Sequence, residues 1–160
     1  DLYNHTFKQD GLKVLVEPPD DGNKEEPLIV RALENSLGQV VRNLIDNALT
    51  FSPKGEAASV RLKAVRGDGE NEGQAIITVD DDGPGIPPDQ LEKIFNRFYT
   101  QRPQGSAFGD HSGLGLAICR QIMTAHGGTI MAHNRKDADG QVIGARFTVT
   151  LPIHKPRKRK

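Results

Sequence analysis

Tryptophan is absent, cysteine occurs once, methionine twice, and aromatic residues make up only 5% of the 160 residues. The lone cysteine, Cys119, excludes an internal disulfide and agrees with a reducing compartment. It falls in a helical pattern with no activating cluster, so it reads as a small core residue rather than a nucleophile. No apolar run is long enough to span a bilayer, and no signal peptide is visible. Charge of one sign is not in excess either. Lys+Arg and Asp+Glu both number 21, so no global field advertises nucleic acid or a membrane surface. The P-loop pattern and the dinucleotide fingerprint are both missing. So are a Ser/His/Asp triad, a zinc spacing and a paired-carboxylate glycosidase arrangement. What remains is one domain, residues 1–153, with room for a single sizeable core. It is followed by a basic stretch, His154 to Lys160, that reads as a solvated, disordered end. A first residue other than Met suggests a piece of a longer chain.

The strongest periodic pattern runs from about Ala32 to Thr50. Leu37, Val40, Val41, Leu44, Ile45, Ala48 and Leu49 follow the spacing of one helical face, and Ser52-Pro53-Lys54-Gly55 ends it. Before it, Leu12 to Glu17 alternates as a strand, Pro18 to Pro27 is a turn-rich loop, and Leu28 to Val30 suits a short second strand. After it, Ser59 to Val65 and Ala75 to Val79 read as an antiparallel hairpin around the polar turn Gly67 to Gly73. Pro88 to Phe95 suits a short helix with Leu91, Ile94 and Phe95 on one side. The stretch Arg97 to Ser112 lacks periodicity, and a loop that long is functional or disordered; His111 within it reads as a polar loop residue. A second helix carries Leu116, Ile118, Cys119, Ile122, Met123 and His126 and is capped by Gly127-Gly128. Thr129 to His133 reads as a strand, Asn134 to Gly140 as a polar turn, and Ala145 to Leu151 as a closing strand stopped by Pro152.

Three signals carry chemistry. Asn43 and Asn47 sit one helical turn apart and project together, and their carbonyl oxygens suit a hard cation such as Mg²⁺. Asp80-Asp81-Asp82-Gly83-Pro84-Gly85-Ile86 closes a strand with carboxylates, then with glycines that let the backbone turn sharply and approach a flat ligand. Such a carboxylate can accept a hydrogen bond from an exocyclic amino group like that of adenine. Gly113-Leu114-Gly115-Leu116 feeds a helix N-terminus, where free N–H groups and the positive dipole end suit phosphate. Taken singly, these are equally a solvated pair of amides, an acidic Pro-Gly turn and a tight packing loop. In this order they are a metal site, a base reader and a phosphate cradle, the parts of an ATP site.

These residues carry a family resemblance that spans about Leu12 to Pro152. The chain resembles the catalytic, ATP-binding domain of bacterial sensor histidine kinases, in the GHKL superfamily with the Bergerat fold. Gln39 to Ala48 is similar to the N box, Asp81 to Ile86 to the first glycine box, Ile94 to Tyr99 to the F box, and Gly113 to Leu116 to the second glycine box. Gly127-Gly128-Thr129-Ile130 and Phe147 to Pro152 resemble the end of such domains. Arg-Phe-Tyr-Thr-x-Arg-Pro, from Arg97, looks like the envelope-sensing branch of alphaproteobacteria. The fold expected is a two-layer α/β sandwich, a mixed, largely antiparallel sheet of about five strands under about three helices.

The resemblance implies that Asn47 holds Mg²⁺, with Asn43 on the phosphates. It implies that Asp81 binds the adenine amino group, that Gly83 and Gly85 admit the ring, and that Gly113 and Gly115 wrap the phosphates. Arg97 to Ser112 becomes the ATP lid, mobile when empty. Ile86, Tyr99, Ser112, Leu114, Leu116 and Thr148 complete the implied set. Two positions depart from the family pattern: Thr50 and Phe51 stand where many relatives carry Lys-Tyr, and Thr100 where many carry Arg. Lys54, Arg97 or Arg102 could supply the missing cation. Arg102→Ala is expected to weaken ATP binding more than Arg97→Ala, and equal affinities in calorimetric titration would count against that.

No histidine in the sequence is followed by an acidic residue, the context of the family's phosphoacceptor; His5 precedes Thr6. The resemblance therefore implies the kinase half alone. It binds ATP·Mg²⁺, contains no catalytic histidine, and barely phosphorylates itself or hydrolyses ATP. Its partners would be a dimerisation and phosphoacceptor domain and a response regulator, not nucleic acid. The setting implied is the cytoplasmic side of a homodimeric inner-membrane sensor. Topoisomerase-type or mismatch-repair ATPases need an acidic base on the first helix, and neither Glu34 nor Asp46 is suitably placed. An anti-sigma-type serine kinase or a nucleotide-sensing interaction module are the other readings.

Overall fold

The computed structural model describes residues 6–9, 12–16, 28–53, 59–97 and 115–154. They form one six-stranded sheet in the order β1-β2-β3-β4-β6-β5 with two helices packed on it. The strands are β1 (Thr6–Gln9), β2 (Leu12–Val16), β3 (Ser59–Arg66), β4 (Gln74–Asp80), β5 (Thr129–Lys136) and β6 (Val142–Pro152). The helices are α1 (Glu34–Phe51) and α2 (Gly115–Ala125). Only β2 and β3 pair in parallel, because α1 lies between them in the chain and forms the crossover. The other four pairings are antiparallel. The sheet is thus mixed and largely antiparallel, as expected, with one strand more than the five anticipated.

One face of the sheet is covered. Val40, Leu44 and Ala48 of α1 and Cys119 and Met123 of α2 meet Val60, Val79, Ile130, Ala132, Phe147, Val149 and Leu151 of the strands. The period-two alternation of β4, β5 and β6 sends these strand residues to the helix side. Phe95 packs edge-to-face on Phe147, with centroids 6.2 Å apart, and Arg120 of α2 lies over the Phe95 ring at 4.3 Å. α2 ends in a glycine cap: Gly127 has φ +71°, and the Gly128 N–H donates to the Met123 carbonyl at 2.8 Å. Cys119 is a fully buried core residue, and burial pushes its thiol up to about 11.

Several local expectations change. The short helix over 88–95 is two 3₁₀ turns, Pro88–Gln90 and Lys93–Phe95. Only Ile94 and Phe95 of the latter are buried, too little apolar face to propagate a helix. Leu28 to Val30 is not a strand; Val30 makes a single bridge to Ile153. The polar turn expected over 134–140 begins later, since β5 runs on to Lys136. β1 was not anticipated. His154 belongs to the fold through its N–H, which donates to the Ile29 carbonyl at 2.7 Å; residues 155–160 lie outside the described residues. Among the described residues, no helix is long and apolar enough to cross a membrane.

Candidate nucleotide site

The chain leaves the sheet at Asp81, and side chains take over the ladder there. The Asp81 N–H still donates to the Ala145 carbonyl at 3.0 Å, as a strand residue would. The return bond is different. The Ala145 N–H donates to the Asp81 side chain, Oδ1, at 3.0 Å, and the freed Asp81 carbonyl accepts from Arg135 Nη1 at 2.6 Å. The peptide is thereby turned out of the sheet. Gly83 closes the turn with its N–H on the same Oδ1 at 2.9 Å. Both bonds fall on one oxygen, and Oδ2 has no hydrogen-bond partner among the described residues. Asp81 lies two residues beyond Val79, so its side chain is on the helix side of the sheet, only 2% exposed. Burial pushes its carboxyl above the ordinary carboxylate range, against the pull of the two N–H donors.

Glycine is required at three positions around this acid because neighbouring backbone or side chains come too close for a Cβ. A Cβ on Gly83 would stand 2.6 Å from the Phe51 carbonyl oxygen, and one on Gly144 1.9 Å from that of Asp81. Gly85 has φ +80°, and a Cβ there would meet Val142 and Asn134. Asn134 then fixes the far end of the turn: its Oδ1 accepts from the Ile86 N–H and its Nδ2 donates to the Ile86 carbonyl, both at 2.7 Å.

The neighbouring carboxylates face the other side of the sheet. Arg146 holds Asp80 with two bonds, at 2.7 and 2.8 Å. Asp82 receives Arg61 Nη2 at 2.9 Å, the Ser59 N–H at 2.9 Å and Arg135 Nη1 at 3.2 Å. Burial pushes the Asp82 carboxyl up, but the Arg61, Ser59 and Arg135 donors outweigh it and hold the group below its ordinary range. Three consecutive acids thus have divided duties: the outer two are neutralised by arginines, and the middle one keeps an oxygen available.

The helix side of the site is looser. Asn43 Nδ2 donates to the carbonyl of Gly115, the first residue of α2, at 3.4 Å, and touches Cys119 Sγ at 3.7 Å. Asn47 lies one turn further along the same face, half-buried, its side chain with no hydrogen bond among the described residues. A further turn on, the Thr50 hydroxyl donates to the Asp46 carbonyl and the Phe51 carbonyl abuts Gly83. Asn47 therefore sits between the start of α2 and the glycine turn, and paired helix, acidic turn and second helix converge. Leu116 packs against the core, and Arg97 is exposed just after the buried Phe95. Lys54, Tyr99, Arg102, Ser112, Gly113 and Leu114 lie outside the described residues.

One expected member is not brought in. Thr148 alternates with Phe147 and Val149, so it stands on the face away from the helices, opposite to Asp81. Three residues were not anticipated. Asn134 and Arg135 were hidden in what reads as a turn. Ser52, 6% exposed and next to Phe51, carries the one buried side-chain oxygen without a partner among the described residues, a polar atom available to a ligand or water. A solitary free carboxylate oxygen, a tight glycine turn and the unpartnered amide of Asn47 suit an amino-bearing flat base with an anionic, metal-bound tail. Among the described residues no group of three or more His, Cys, Asp or Glu is arranged so that it could hold a metal ion, so a cation here would rely on amide oxygens and on its ligand.

Comparison with known proteins shows the family. The family described as histidine kinase-, DNA gyrase B- and HSP90-like ATPase matches residues 32–155, and the chain belongs to it. Within that family its likeness is to sensor histidine kinases. The sensor protein ChvG of Rhizobium meliloti (strain 1021) is 45% identical over 131 residues, covering 81% of this chain and 22% of that protein. This agrees with the alphaproteobacterial branch expected from the F-box pattern. The solved structure of the mycobacterial sensor histidine kinase MprB superposes with a TM-score of 0.64 at 34% identity, over 78% of this chain and 74% of that one. Full-length ShkA in complex with AMPPNP gives 0.66 at 27% identity, over 93% of this chain and 27% of that one. The chain thus spans about a fifth of the length of the curated relative named here.

Proposed function

We propose that this chain is the part of a two-component sensor kinase that binds ATP·Mg²⁺ and presents the γ-phosphoryl group to a histidine on a separate dimerisation domain. The observation that carries the reading is Asp81: a buried acid fixed through one oxygen by the Gly83 and Ala145 N–H groups, with the other free to accept the adenine 6-amino hydrogen. Gly83 and Gly85 let the backbone turn tightly beside it, where a Cβ would strike Phe51 or Val142 and Asn134. Asn47 supplies an amide oxygen to the metal and Asn43 lies towards the phosphates, at the α2 N-terminus. When bound, Mg²⁺ neutralises the charge that builds on the phosphate oxygens.

The transfer breaks the bond between the γ-phosphorus and the β,γ-bridging oxygen, forms a phosphorus–nitrogen bond to the acceptor imidazole, and releases ADP. The role of this domain is positioning and charge neutralisation, and the nucleophile comes from elsewhere. In the cell we place it on the cytoplasmic side of an inner-membrane, homodimeric sensor that feeds a response regulator.

The test is titration of the 160-residue chain with ATP, with and without Mg²⁺, followed by radiolabelled transfer to a supplied histidine-bearing helical domain. Binding with transfer is the expected result. Binding without transfer to any cognate acceptor would leave a nucleotide-sensing module, and no binding would end the reading. Negligible phosphate release by the chain alone is also expected.

A further inference from the structure

The turn from Asp81 to Ile86 is held at both ends by one hairpin, β5–β6. At its start, Ala145 and Arg135 bind Asp81; at its finish, Asn134 binds Ile86 through both hydrogen-bonding groups of its amide. Asn134 is the strand partner of Ala145, so the residue that grips Ile86 lies directly beside the residue that grips the Asp81 carboxylate. The amide is matched to its task, with one acceptor for the Ile86 N–H and one donor for the Ile86 carbonyl, both at 2.7 Å. It also closes on Gly85: a Cβ there would stand 2.8 Å from Asn134 Oδ1. The distance across the glycine turn is thus set by the spacing of two neighbouring positions in a sheet, which is rigid. A loop left to itself would not hold it.

We propose that Asn134 is a positioning residue for recognition of the nucleobase: by fixing Ile86 relative to Ala145, it sets the width and tilt of the turn that seats the purine against Asp81. The proposal rests on the reading of Asp81 as the acceptor of the adenine amino group. Asn134 touches no nucleotide in this scheme. It acts through Ile86 and Gly85, and its loss alters which base is preferred more than how firmly phosphate is held. A residue that merely stabilised the fold would, when removed, weaken all nucleotides together.

The test uses ATP and ITP, which differ in carrying a 6-amino or a 6-oxo group, titrated with Mg²⁺ into the chain and into Asn134→Ala and Asn134→Asp. Asn134→Ala is expected to weaken ATP about tenfold and ITP by less than about twofold, so that discrimination between them shrinks. Asn134→Asp keeps the side-chain volume but sets a carboxylate oxygen against the Ile86 carbonyl. It is expected to lose discrimination as Asn134→Ala does, which keeps the test valid should the smaller residue fold poorly. Equal weakening of ATP and ITP, or unchanged ATP affinity in either folded variant, overturns the proposal. A wild-type chain that binds both equally, or an Asp81→Asn variant that retains ATP preference, overturns the reading beneath it, which is a separate result.

Discussion

The two halves of the site are built differently. On the sheet side, Asp81 is fixed by Arg135 and Ala145, Ile86 by Asn134, and Gly83 by its own N–H on Asp81, through hydrogen bonds of 2.6 to 3.0 Å. On the helix side, Asn43 reaches its partners only at 3.4 and 3.7 Å, and the Asn47 side chain makes no hydrogen bond among the described residues. The contrast has a chemical rationale. A planar base is recognised by fixed direction, so its acceptor gains from being preorganised. On the proposed reading a metal-bound polyphosphate would supply its own charge and geometry, so the helix amides opposite it need only weak contacts until it arrives.

Asp81→Asn is the severest test of the rigid half. The amide oxygen can still receive the Gly83 and Ala145 N–H groups, while an NH₂ replaces the free oxygen and opposes the adenine amino group. ATP affinity is expected to fall about a hundredfold. Because burial raises the Asp81 carboxyl, ionisation at neutral pH opposes folding, so thermal stability should hold or rise in the same variant. A variant that loses both stability and affinity would mean that the acid is there for the fold. Gly144→Ala strikes the same half from behind, with its new Cβ directed at the Asp81 carbonyl. A loss of roughly 2 kcal/mol in a denaturant titration is expected, accompanied by weaker ATP binding; wild-type stability would show that the turn yields easily.

The loose half calls for a different signature. Asn47→Ala should cost about tenfold in ATP affinity with Mg²⁺ present and less than about twofold in excess chelator. Equal losses in both conditions would place Asn47 on the nucleotide itself. Asn43→Ala makes a useful companion, since its contacts with Gly115 and Cys119 couple the two helices and predict a loss in both conditions.

The sequence discloses the two halves unequally for related reasons. α1 is legible because Val40, Leu44 and Ala48 repeat at helical spacing and are buried in that order. The paired amides are then placed by geometry alone. The β3–β4 hairpin and the glycine cap of α2 were equally readable from alternation and from Gly127-Gly128. The clamp on Ile86 was not. Asn134 and Arg135 look like the start of a polar turn, since nothing apolar alternates there; they are strand residues because their side chains are consumed by Ile86 and by Asp81 and Asp82, tertiary partners roughly fifty residues away. The 88–95 segment failed as a helix for the converse reason, a local pattern with too little apolar face to sustain it. Thr148 is a different kind of miss. The period-two rule that puts Phe147 in the core sends Thr148 to the far face, whereas the family resemblance implies a place in the site.

The acids that flank Asp81 provide the smallest effect and the finest discrimination, because neighbours in sequence should titrate in opposite senses. Asp82 is held below its ordinary value of 3.8 by Arg61, Ser59 and Arg135 in spite of burial. Its contribution to stability is present above that value and is lost as pH falls through its lower folded value. Asp81 is raised, so its contribution is complete below 3.8 and disappears as pH rises through its higher folded value. Asp82→Asn should therefore lose about 1 kcal/mol at neutral pH and flatten the acid limb of the stability curve. Asp81→Asn should instead remove a decline that begins near 3.8 and runs upward in pH. Chemical denaturation of both variants between about pH 3 and 7 separates the two. If both curves flattened on the same limb, the arginine side and the base side of the strand exit would be one electrostatic unit, and the division of duties among the three acids would be lost.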